Sequence, residues 1–203
     1  FDEPKSLDAA NLEFRLLLDP FEVQLKHFYG VDKARALSVR GEARFVTDDT
    51  GWSIALQTML DRLNYEGLMH YWPHEFKASQ RRWVAENVKE AELFDIVYDL
   101  RYDKESALIT SLSFAFKDAE FFPIKDFPSV QGGSGAFSSF NRRLAISLHG
   151  GKMNTPQFGS INIEGTEFVV ANTKLKPSPA TLNLKARGSL QTMLAMVNHK
   201  PLS

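Results

Sequence analysis

Hydrophobic and polar residues alternate along most of the chain. The alternation is clearest over residues 12–18, 94–101, 108–116 and 144–148. Because successive side chains of a strand point to opposite faces, this period of two predicts strands with one apolar and one polar face. Turn-forming residues follow these runs, among them Gly132–Gly135 and Gly150–Gly151. We therefore predict a mainly β fold, in which a long, twisted antiparallel sheet is built from sequential hairpins.

Two segments break this period and predict short helices. Residues 74–88 follow a proline, and apolar side chains recur there at three-to-four spacing. Residues 189–197 place Leu190 and Leu194 on one face, and Ser189 is a candidate N-cap.

Composition narrows the function classes. The chain has 203 residues, 43% of them hydrophobic, a formal net charge of −1 and no cysteine. The near-neutral charge argues against a nucleic-acid partner, and the lack of cysteine excludes disulfides, thiol catalysis and cysteine-bound zinc. No apolar run reaches the length of about 18 residues that a transmembrane helix needs. Because the chain opens at Phe1 with no initiator methionine, we expect that residues have been removed from its start.

Candidate catalytic and metal-binding patterns are weak. His70 and His74 are four residues apart, but a Trp-Pro pair between them interrupts any shared helical face. Gly132–Gly135 lacks the lysine that follows a phosphate-binding loop. Asp95 and Asp99 would lie about 13 Å apart on one strand, too far for a glycosidase pair. We therefore predict a protein that binds or scaffolds, with no enzymatic activity, cofactor or metal.

Three groups of motifs carry a resemblance to a known family. The most specific is Tyr-Trp-Pro at 71–73, followed by Arg-Trp-Val-Ala-Glu-Asn-Val at 82–88. The second is residues 112–119 with Pro123, Pro128 and Gly135. The third runs through residues 144–151, 159–161, Phe168, Val170, 187–190, Asn198 and 201–202. In this order the motifs resemble the AsmA-like proteins of bacterial envelopes, in particular the YhdP-like branch.

The resemblance implies a fold, a location and partners. Proteins of that family carry a membrane helix and a long sheet curled into an apolar groove, which carries phospholipid tails between the inner and outer membranes. Residues 1–203 would then be a single section of such a groove. It would lie in the periplasm, and a helix outside this chain would anchor it to the inner membrane. Phospholipid acyl chains are the expected ligand, and outer-membrane or periplasmic proteins are candidate partners.

Polarity alone selects the residues expected to line the groove. They are Ile96, Tyr98, Leu112, Phe114, Phe116, Ile146, Leu148, Ile163, Phe168 and Leu184. The same alternation would also suit a closed core, in which this face packs on another sheet or on the helices. Two other functions remain open: a scaffold for outer-membrane assembly that acts by protein contacts, and an envelope-glycan enzyme with two carboxylates closer than about 10 Å.

Overall fold

The computed structural model describes residues 5–49, 51–104, 108–123, 127–155 and 159–198. The chain is mainly β, with 62% of residues in strands, and forms one antiparallel sheet of 11 strands that does not close into a barrel. The fold class predicted from the alternation is therefore confirmed.

The strands and helices have the following bounds. The strands are β1 (Ala9–Leu18), β2 (Phe21–Asp32), β3 (Leu37–Asp48), β4 (Gly51–Asn64), β5 (Val88–Tyr102), β6 (Ile109–Phe121), β7 (Val130–Phe140), β8 (Arg143–Thr155), β9 (Gly159–Asn162), β10 (Glu167–Val170) and β11 (Ala180–Asn183). The helices are α1 (Tyr65–Tyr71), α2 (Ala78–Asn87) and α3 (Leu190–Val197), and Lys33–Arg35 forms a single 3₁₀ turn.

The strands follow one another in space as they do in sequence from β1 to β8. Beyond β8 the chain forms two short strands along the same edge. β9 pairs with the C-terminal part of β8, and β10 pairs with its N-terminal part before β11 completes the sheet. The predicted meander of sequential hairpins is thus confirmed, and its connections define two ends. The helical end carries α1, α2 and α3, and the hairpin end carries the turn between β1 and β2 and the turn between β7 and β8.

β-Bulges interrupt the ladders of the middle strands. Asp95 on β5 and Asp118 on β6 have positive φ angles of 52° and 51° at points where the register shifts. Gly132 on β7 and Gly151 on β8 have positive φ angles at the next shift. A bulge bends its strand and increases the local twist, so these bulges curl the sheet.

The same bulges correct two turn predictions. Gly132–Gly135 lies inside β7 and Gly150–Gly151 lies inside β8, so neither is a turn. Gly135 has a structural reason to be glycine. A Cβ atom there would lie 2.0 Å from the carbonyl oxygen of Ser147 and 2.8 Å from the ring of Phe116. The glycine therefore lets the strand backbone and an aromatic ring approach closely.

The helices differ from their predicted bounds at the start of α2. Lys77 has a left-handed φ of 52°, so the helix begins at Ala78 rather than at residue 74, and Val88 already belongs to β5. The helix α1 was not predicted. Asn64 caps it by accepting a hydrogen bond from the N–H of Gly67 at 2.8 Å. In α3 the predicted N-cap is confirmed, since the N–H of Thr192 donates to Ser189 Oγ at 3.1 Å.

A closed core occupies the helical end of the apolar face. Its buried members lie on or beside the strands near that end: Leu37, Leu63, Leu93, Ile96, Phe116, Ala119, Phe127, Val130, Leu148, Met153, Ile161 and Ile163. Leu68 and Tyr71 of α1 and Met193 of α3 pack against them. The helices therefore cover only one end of the sheet.

The total surface area shows how open the rest is. The chain exposes 13267 Å², whereas a compact monomer of 23.0 kDa exposes about 9600 Å². The difference, roughly 3700 Å², is in keeping with a sheet that is covered at one end and neither closed on itself nor packed on a second sheet.

Candidate functional site

One row of side chains crosses the sheet from β1 to β11 without a charged residue. Each member is the direct cross-strand partner of the next, so all point to the same face. The row, called here the uncharged row, consists of Leu12, Phe28, Gly41, Thr58, Tyr98, Leu112, Ser139, Leu144, Val170 and Ala180. At about 4.8 Å between strands it is roughly 40 Å long.

A second, more aromatic row runs beside it over the C-terminal half of the sheet. It consists of Phe114, Phe137, Ile146, Phe168 and Leu182, again as direct cross-strand partners. The rings of Phe114 and Phe137 stack with centroids 4.7 Å apart and planes 11° apart. We call these two rows and their apolar neighbours on the same side of the sheet the apolar face.

The apolar face is open to solvent over much of its area. Phe14 of β1 is 68% exposed, and Leu12, Leu16 and Leu18 of the same strand are exposed as well. Half-buried side chains, Leu112 and Phe114 among them, continue the face into the middle of the sheet. Contiguous exposed apolar area on this scale marks an interaction surface in soluble proteins.

Tyr98, a member of the uncharged row, is half-buried on this face. Burial raises the pKa of its phenol. The raised pKa follows from this burial, because desolvation disfavours the charged form of a group. This part of the face can therefore accept apolar groups but does not favour charged ones.

The opposite face is a ladder of polar pairs. Glu92 accepts from Arg62 and from Lys117, both at 2.8 Å, and so links β4, β5 and β6. On the same strands, Asp99 accepts from Gln57 at 2.8 Å and from Ser111 at 2.9 Å. These cross-strand pairs hold neighbouring strands together from the solvated side.

Glu22 is the most perturbed carboxylate of the polar face. Arg44 donates to it from Nε at 2.5 Å and from Nη2 at 3.0 Å, and Gln24 also donates to it. The hydrogen bonds from Arg44 and Gln24 lower its pKa from 4.5 to about 2. This bidentate pair joins β2 to β3, and the carboxylate remains ionised at neutral pH.

A second polar cluster attaches α1 to the sheet. Asp32, at the end of β2, accepts from the hydroxyl of Tyr71 at 2.6 Å and from Arg35 Nη1 at 2.8 Å. The hydrogen bond from Tyr71 is the largest cause that lowers the pKa of Asp32 to about 2, and burial together with Asp32 raises the pKa of Tyr71 to about 12. The cluster fixes α1 over the core, so we assign it a structural role.

The ten residues predicted to line a groove fall into three groups. Tyr98, Leu112, Phe114, Ile146 and Phe168 are half-buried members of the two rows. Ile96, Phe116, Leu148 and Ile163 belong to the closed core, so a ligand would reach them only if the helical end opened. Leu184 lies just beyond β11 and is 52% exposed.

The sequence prediction left out the most exposed part of the face. Leu12, Phe14, Leu16, Leu18 and Trp52 are exposed on it, but none was among the predicted lining residues. Their alternation is visible in the sequence. Polarity identifies the face of a strand, however, and does not show how much of that face is covered.

The described residues give little support for a metal site or a membrane-spanning helix. No group of three histidine, aspartate or glutamate side chains there is arranged to hold a metal ion. Within the same part of the chain, none of the helices has the length and apolar character that crossing a bilayer requires.

None of the protein families, curated proteins and solved structures compared with the chain matches it.

Proposed function

We propose that the chain binds phospholipid through acyl-chain contacts on the apolar face, as a section of a periplasmic AsmA-like protein that moves lipid between the inner and outer membranes. The observation that carries the proposal is the uncharged row. It is a continuous path across every strand from β1 to β11 except β9, and it lies on a face that the helices leave partly uncovered.

The chemistry of an acyl chain fits such a surface. Each methylene that leaves water contributes about 0.8 kcal/mol, so ten methylenes supply roughly 8 kcal/mol before the cost of ordering the chain. The surface needs no convergent polar groups for this, only continuity. The stacked rings of Phe114 and Phe137 supply a wide contact area in the second row.

The charge distribution supports the same proposal. Charged side chains pair with one another on the polar face, for example Arg62 and Lys117 with Glu92. An acyl chain on the apolar face would therefore meet no unpaired charge along the uncharged row. A headgroup would remain in solvent, so binding to the row would depend on contacts with the acyl chain rather than with the headgroup.

A crosslinking experiment tests the proposal directly. A photoreactive amino acid replaces Phe114 in one variant and Ser113 in another, next to it on β6 but on the other face. Each variant is incubated with phosphatidylglycerol–phosphatidylethanolamine vesicles, irradiated and analysed by mass spectrometry. We expect lipid adducts at position 114 and few at position 113.

The contrary results are equally specific. Equal labelling at both positions would show nonspecific association and contradict the assignment of the face. If position 114 gives no adduct, and native mass spectrometry of the unmodified chain finds no bound phospholipid, lipid binding is refuted. The non-transporting scaffold then becomes the better-supported function.

A further inference from the structure

The turn between β7 and β8 and the loop between β10 and β11 carry a cluster of cations at the hairpin end of the sheet. Arg142 lies in the two-residue turn, and Lys174 and Lys176 lie in the loop. All three residues are exposed, and none forms an ion pair with a carboxylate of another described residue. Within the described part of the chain, this positive charge is therefore not neutralised.

Backbone hydrogen bonds hold the turn and the loop side by side. The N–H of Thr173 donates to the carbonyl oxygen of Arg142 at 2.9 Å, which joins the two segments. Within the loop, Ser178 Oγ donates to the carbonyl oxygen of Leu175 at 2.8 Å. The fold thus gathers cations from two separate segments at one place, and the backbone that carries them is ordered without a ligand.

The cluster lies beside the uncharged row. Ser139 and Leu144, the members of the row on β7 and β8, are separated from the turn by only one further pair of residues. Arg142 is two residues from Leu144, which is about 7 Å along a strand. Val170, the next member of the row, pairs with Leu144 and ends β10 just before the loop. A lipid whose acyl chain lies on this part of the row can therefore place its headgroup over the turn and the loop.

We propose that Arg142, Lys174 and Lys176 bind the phosphate of a phospholipid whose acyl chain lies on the uncharged row. The inference rests on the proposed function and extends it from the acyl chain to the headgroup. Lysine and arginine are strong donors to phosphate oxygens, and arginine can donate two parallel N–H bonds.

An apolar side chain within the cluster favours a lipid over free phosphate. Leu175 lies between the two lysines in sequence and is 53% exposed. A phosphate that is joined to a hydrocarbon chain meets both the charges and this apolar contact, whereas inorganic phosphate meets the charges alone. The tail also holds the phosphate near the cations, so the lipid gains more from them than a free ion does.

Arg143 provides a matched control one residue from Arg142. It pairs with Phe140 across the hairpin, and it lines a shallow depression on the polar face together with Ser138 and Val169. Its side chain therefore points away from the uncharged row. Arg143→Ser removes the same charge as Arg142→Ser, but from the other face of the sheet.

Competition for a fluorescent diacylglycerol measures headgroup recognition, because this probe is uncharged. Dioctanoylphosphatidylglycerol and dioctanoylglycerol have the same tails and are compared as competitors. We expect the unmodified chain to bind the phospholipid about tenfold more tightly. A variant with Arg142→Ser, Lys174→Ser and Lys176→Ser should bind both lipids with the affinity that the unmodified chain has for dioctanoylglycerol. Arg143→Ser should keep the preference.

The other outcomes separate this inference from the proposed function. If both lipids compete equally for the unmodified chain, the phosphate site is overturned while acyl-chain binding stands. A loss of preference in Arg143→Ser as large as in the triple variant also overturns the site, because it would show a general effect of charge. If millimolar inorganic phosphate abolishes the preference, the cluster binds free phosphate rather than lipid. If neither the probe nor either lipid binds, the proposed function fails and this inference fails with it.

Discussion

A single charge placed in the uncharged row should interrupt lipid binding. Ser139 is the member of the row on β7, with Leu112 and Leu144 directly across on its two neighbours. Ser139→Glu would introduce a carboxylate about 5 Å from each of these leucines. Ser138→Glu adds the same charge to the adjacent residue, which is exposed on the polar face.

The magnitude follows from the contact that is lost. An acyl chain crossing β7 would have to leave the surface around the carboxylate, because burying that charge costs more than the contact contributes. Losing contact with about four methylenes removes about 3 kcal/mol, or roughly a hundredfold in affinity. Neither serine has a hydrogen-bonding role in the core, so both variants should unfold at similar urea concentrations.

Displacement of a fluorescent fatty acid measures the effect. The protein is titrated with the probe, and phosphatidylglycerol then competes for the site. We expect Ser139→Glu to bind about a hundredfold more weakly and Ser138→Glu to bind as the unmodified chain does. Equal loss in both variants would point to a general charge effect, and unchanged binding by Ser139→Glu would refute the row as the path.

Three further predictions concern stability. Replacing Ile161, which is 1% exposed in the core, with alanine should lower the free energy of unfolding by about 2–5 kcal/mol. Replacing Leu182, which is 54% exposed on the apolar face, with alanine should lower it by less than about 1 kcal/mol. Equal losses in urea unfolding would contradict an open apolar face. Gly135→Ala should cost about 1–3 kcal/mol in the same assay, because the added carbon meets strand backbone. The free energy of unfolding should fall as pH decreases from 4.5 towards 2, because folding lowers the pKa of Glu22 to about 2 and protonation removes its bond to Arg44. Glu22→Gln should lose part of this pH dependence, which urea unfolding at each pH measures.

The strand pattern could be predicted because the sheet has two different faces. Leu12, Phe14 and Leu16 alternate with charged or polar neighbours, and the structure places them on one side of β1. The same reasoning correctly assigned Leu112 and Phe114 to one face of β6. A period of two is sufficient wherever one side of a sheet is solvated along its whole length.

The bulges could not be predicted because their residues also form turns. Gly150–Gly151 suits a hairpin turn as well as it suits a bulge, since both require a backbone that can adopt positive φ. The deciding information is the continuation of pairing on both sides of the glycines, and it lies in β7 rather than in β8 itself. The α1 helix was missed for a related reason, because its seven residues are too few for a clear helical period.

How exposed an apolar residue is depends on its position along its strand. Phe114 and Phe116 lie two residues apart on the same face of β6, yet Phe116 belongs to the closed core and Phe114 is half-buried. The difference arises because α1 and α3 cover the helical end only. Sequence polarity is the same for both residues, so the division between core and open face depends on where the helices lie.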